Sequence, residues 1–174
     1  MTTEVKCVRT AALAILAQCV GLLDEIDDRC YAADSETIRG GTIGKHVRHS
    51  LDHFEAALHG HERGEEIDYD HRARAVPMET ERAPAIIAIG SLRDRIEGLT
   101  GTDLGTSIRV RVMLSGEGAE ASLDSTLGRE LFFATHHAMH HHAMIKAIAR
   151  EHGYEPGDDF GRAPSTINFE RSNA

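Results

Sequence analysis

The sequence predicts an all-helical fold, an up-and-down four-helix bundle with a small β-hairpin inserted between the third and fourth helices. Three observations predict it. Four stretches of roughly 20 residues repeat their apolar side chains at spacings of three and four, the period of a helix with one buried face. One stretch between the last two alternates polar and apolar residues, the period of a strand. The length of 174 residues suits a single domain, 1–174, with a real core.

The first helix is expected over 4–29, with Val8, Ala12, Ile15, Cys19, Leu22 and Ile26 inward. Asp34-Ser35 and Gly40-Gly41 then mark a loop. Thr42 is a suitable N-cap for the second helix, which carries Ile43, Val47, Leu51, Phe54 and Leu58 and stops at Gly60 or Gly64. The charged stretch 64–77 reads as a long connection. A third helix follows over 80–98, with Pro84 in its first turn, where proline is tolerated, and Ala85, Ile89, Leu92 and Ile96 inward. The alternation across 107–114, the turn Gly116-Glu117-Gly118 and the short run 119–123 predict the hairpin. Ser125 can cap the fourth helix, which runs to His152 before Gly153 stops it. The tail, 156–174, shows no helical period and is expected to be extended.

Composition narrows the function. A formal charge of −9 argues against nucleic acid and anionic membranes as partners, because both demand a basic surface. The run 11–23 has the look of a signal-peptide core. However, Gln18 and Gly21 interrupt it, and the acidic stretch 24–28 follows without a cleavage pattern, so it reads as an amphipathic helix. Cys7, Cys19 and Cys30 are odd in number and lack framework spacing, which points to reduced thiols in the cytoplasm. The Ala-rich first helix offers a flat apolar surface that suits a homodimer.

Histidine is the outlier: 12 residues, about three times ordinary usage. They cluster in the second and fourth predicted helices. In the fourth, Leu127, Leu131, Ala134, Ala138, Ile145 and Ile148 form the buried stripe, and His141 takes the slot where an aliphatic residue belongs. His137 lies one turn earlier, and two imidazoles at i and i+4 on an inward face can grip one metal ion. Uncoordinated, two buried imidazoles would carry a desolvation penalty. His136, His140 and His142 point away and are expected to be exposed or to support the ligands from behind. On the second helix, periodicity favours His46 or His53 over His49, without settling the choice.

The stretch Thr42-Ile43-Gly44-Lys45-His46-Val47-Arg48-His49, followed by Asp52, resembles the second-helix motif of the DinB/YfiT-like superfamily. The stretch His137-Ala138-Met139-His140-His141-His142 resembles that family's fourth-helix motif. The resemblance spans 42–150. Where many relatives follow the last ligand with Arg-Gly-Gln, this chain has His142-Ala143-Met144. The resemblance implies a DinB-like bundle with one divalent metal ion, zinc or nickel before iron or manganese, on His49, His137 and His141. It leaves His46, Asp52, His53 and His140 to orient those ligands. It further implies a metal-dependent enzyme that activates a low-molecular-weight thiol for attack on an electrophile. Hydrolysis by metal-bound hydroxide, and a non-catalytic metal-binding or stress-response role, are the rivals.

Overall fold

A computed structural model describes residues 3–71 and 76–173; the centre of the expected 64–77 connection, 72–75, lies outside the described residues. Helix α1 covers Thr3–Glu25, α2 Asp28–Ala32, α3 Ile43–Arg63, α4 Arg82–Gly98, α5 Gly101–Leu104, α6 Leu127–Glu151 and α7 Pro164–Ser172. Strands β1 (Ile67–Asp68), β2 (Ser107–Met113) and β3 (Glu120–Thr126) form one sheet in the order β1-β2-β3. The protein is therefore mainly helical with a small sheet. The described residues contain seven α-helices rather than the four expected.

The four long helices sit where the apolar period placed them. α1 and α3 each pack against both α4 and α6. Their inward stripes, including Ile15, Leu22, Val47, Phe54, Ile89, Leu92, Leu131 and Ile145, merge into one buried core. By length and composition Cys7–Glu25 is apolar enough to cross a membrane, a test that helices packed in a protein core also pass, and a third of it is buried within the protein.

The departures have local causes. α1 ends at Glu25 rather than near Arg29 because Asp27 caps a new short helix, its side chain accepting from Cys30 N at 2.7 Å. The Arg82 guanidinium then donates to the Leu23 and Ile26 carbonyls, which have no partner further along the helix. The hairpin forms as expected, with Val110 opposite Leu123, but Ile67 and Asp68 add a parallel third strand on the far edge of β2. Thr126, one residue later than Ser125, caps α6 through Arg129 N.

The tail is not extended throughout. Phe160 is buried, Gly161 turns at a φ of 71°, and α7 follows. A Cβ on Gly161 would stand 2.6 Å from the Ala143 backbone nitrogen, so only glycine lets the chain lie this close to α6. Gly44 plays a similar part at the start of α3, where the Glu79 carbonyl approaches within 2.1 Å of a notional Cβ. That contact seats the single 3₁₀ turn Pro77–Glu79 on α3, where the buried Arg48 side chain pairs with Glu79.

Candidate functional site

The histidine cluster lies along the contact between α3 and α6. Thr42 caps α3 through Lys45 N at 3.1 Å, and Gly64 in the left-handed region ends it. This frame puts His46, His49 and His53 on successive turns facing α6. From α6 come His137 and His141.

The ring nitrogens converge. His137 Nε2 is 2.9 Å from His49 Nε2 and 3.1 Å from His141 Nε2. A ring nitrogen carries either one hydrogen or one lone pair, so a single hydrogen-bonding scheme cannot serve both short contacts well. His53 donates from Nδ1 to the His49 carbonyl at 2.9 Å, which fixes its tautomer and leaves the lone pair on Nε2. Its ring centroid lies 4.1 Å from that of His137. Donor atoms of His49, His53 and His137 fall within 4.8 Å of one another, so these three histidines can hold a metal ion.

The surroundings favour the neutral form of His141 and His46. Burial first, then the neighbouring His137, His49, His46 and His140, push His141 down from 6.5 to about 3. Burial likewise lowers His46, reinforced by His140 and Lys45. Neutral rings are the form that offers lone pairs to a cation.

Each residue singled out from sequence now has a place. His49, His137 and His141 are together. His46 meets His141 from behind, Nδ1 to Nδ1 at 2.9 Å. Asp52 pairs with Arg48 at 3.4 Å. His140 is exposed, its ring 5.4 Å from that of His141. His136 is exposed as expected, whereas His142 is not. It is 2% exposed and stacked on Phe160 with ring centroids 4.5 Å apart, because the tail folds back over α6. Burial lowers it to about 4.

Two groups beside the cluster were missed. Tyr69 stacks on His53 at 4.9 Å, and its hydroxyl donates to the buried Glu130 at 2.8 Å. Burial, then that hydrogen bond, raise the Tyr69 phenol. Phe133 lies 5.8 Å from His137. Phe133 precedes His137 by four residues, a helical neighbour that spacing could have revealed. Tyr69 sits in a polar connection and gave no signal.

Comparison with known proteins corrects the family reading. No protein-family profile and no solved structure matches the chain. A curated protein that does match is FK506-binding protein 5 of Rhizopus delemar, 35% identical over 102 residues. The match covers 58% of this chain and 26% of that protein, so the chain spans about a quarter of its relative's length. The relative's name points to FK506-binding proteins, and the DinB/YfiT-like assignment is withdrawn. The thiol-transfer enzyme inferred from it falls as well, together with its hydrolytic and stress-response rivals.

Proposed function

We propose that the histidine cluster between α3 and α6 holds one divalent metal ion on His49, His137 and His141, with His53 as a fourth nitrogen donor. The observation that carries this reading is the approach of His49 Nε2 and His141 Nε2 to the one His137 Nε2, at 2.9 and 3.1 Å. Ligands about 2.0–2.1 Å from an ion stand about 2.9–3.0 Å apart at right angles and about 3.3–3.4 Å apart in a tetrahedron. The spacing here is nearer the first. An all-imidazole set suits nickel or zinc, while manganese prefers oxygen donors. His46 behind His141 supports the reading, because a metal-bound imidazole is oriented by a partner at its other nitrogen. The packing of α1 and α3 on α4 and α6 supports an up-and-down four-helix bundle as the frame. The three free cysteines support a reducing, cytoplasmic setting.

Elemental analysis of protein purified without a histidine tag and exposed to zinc or nickel tests this. About one equivalent per chain is expected, and His137→Ala is expected to retain almost none. No stoichiometric metal in the parent protein, or full occupancy in His137→Ala, would overturn the reading.

The match to the Rhizopus protein supports a second reading, binding of FK506 by this chain. Titration with FK506 decides it. Saturable binding supports it, and its absence overturns it.

A further inference from the structure

Beside the histidines lies a cleft of about 280 Å³, between the hairpin and the first turns of α6. It is walled by Tyr69, Phe133, Leu123 and Ser125, with Glu130 as its floor and Arg129 at its rim. From these residues we propose that it binds a small organic cation, an amine or amidine carried on a single ring. The site does not depend on the metal ion, although Tyr69 and Phe133 also pack against His53.

Charge and shape select this class. Glu130 is only 3% exposed, a position that a carboxylate occupies only when donors surround it. It accepts from Tyr69 Oη at 2.8 Å, Ser125 Oγ at 2.6 Å and Arg129 Nη1 at 3.0 Å. The two hydroxyls come from the cleft wall, and only the third donor is a cation. That guanidinium also lies over the Phe133 ring, 5.2 Å from its centroid. A buried carboxylate plus an aromatic face is the pair of contacts an organic cation makes. Yet the Arg129 side chain is 64% exposed and loses little by turning outward. Arg129 therefore occupies the place a ligand cation takes. Asp124, the other charged residue lining the cleft, is acidic, so an anion meets no second cation there. The volume lies just below the usual range of about 300–1,000 Å³ for small-molecule sites, which restricts the ligand to one ring or a short chain. Leu123, 52% exposed at the mouth, gives that ring an apolar edge to rest on.

Calorimetric titration of the full chain with benzamidine, benzylamine and benzoate, metal-free and zinc-loaded, tests the assignment. Both cations are expected to bind saturably and at least about ten-fold more tightly than benzoate. Glu130→Gln is expected to weaken them about ten-fold. Arg129→Ala is expected to tighten them, because it removes the internal competitor; a residue that merely braced the cleft would weaken them instead. Equal or tighter binding of benzoate, no binding by either cation, or weaker binding in Arg129→Ala would overturn the proposal. Zinc binding without cation binding would sink the cleft alone, and the converse would sink the metal reading alone.

Discussion

His137 is the hinge of the candidate metal site, because its Nε2 lies within 3.1 Å of two other imidazole nitrogens. The inward placing of His141 was legible because it occupied a slot in an otherwise aliphatic stripe, with His137 one turn before it. His49 was not, because the helical wheel assumes one inward direction, and the histidine face of α3 turns toward α6 and solvent instead. His46→Ala should leave the ligand set intact but weaken metal binding about 10–100-fold, since His141 would lose the ring that orients it; competition against a chelator measures this. Protons act in the same place. Burial, and for His141 the facing histidines as well, push His141 down to about 3 and His142 to about 4, from the ordinary 6.5. A lowered histidine pKa means that the unfolded chain binds the extra proton first. The contribution of these two histidines to the stability of the metal-free protein is therefore fully present above pH 6.5 and falls as pH drops toward 4, by at most about 1.4 kcal/mol per pH unit for the buried His142. Denaturant titrations between pH 7 and 5 should show this slope, and His142→Leu should reduce it by one proton.

The long helices were legible as elements because burial of one stripe enforces the three-four period, and the hairpin because strand pairing enforces alternation. What escaped depends on single capping residues or on distant chain. α2 exists because Asp27 caps it, and β1 is a two-residue strand held by pairing to β2. Neither leaves a period to read. The tail failed for the second reason: Phe160 is buried by α6, about which its own neighbours say nothing. Two substitutions test these causes. Thr126→Ala should remove the α6 cap and destabilise the protein by about 1 kcal/mol in denaturant titration. Gly161→Ala should destabilise by more than about 1 kcal/mol, since it adds strain at positive φ and a clash with Ala143. It should also make the chain after Phe160 more sensitive to protease.

At the scale of the whole molecule, the apolar core ties four helices together, while the histidine cluster lies along the contact between α3 and α6. An ion there would bridge two helices in the folded state only, so binding must raise stability. At a hundred-fold excess over its dissociation constant the gain is about 2.7 kcal/mol, visible as a raised melting temperature that His137→Ala should lack. The central claim concerns the ligands themselves, and X-ray absorption at the metal edge counts them directly. Nickel- or zinc-loaded protein should show at least three imidazole nitrogens about 2.0–2.2 Å from one ion, with one fewer in His53→Ala if that ring is the fourth donor. A shell of oxygen or sulfur, or fewer than three imidazoles, would contradict the account.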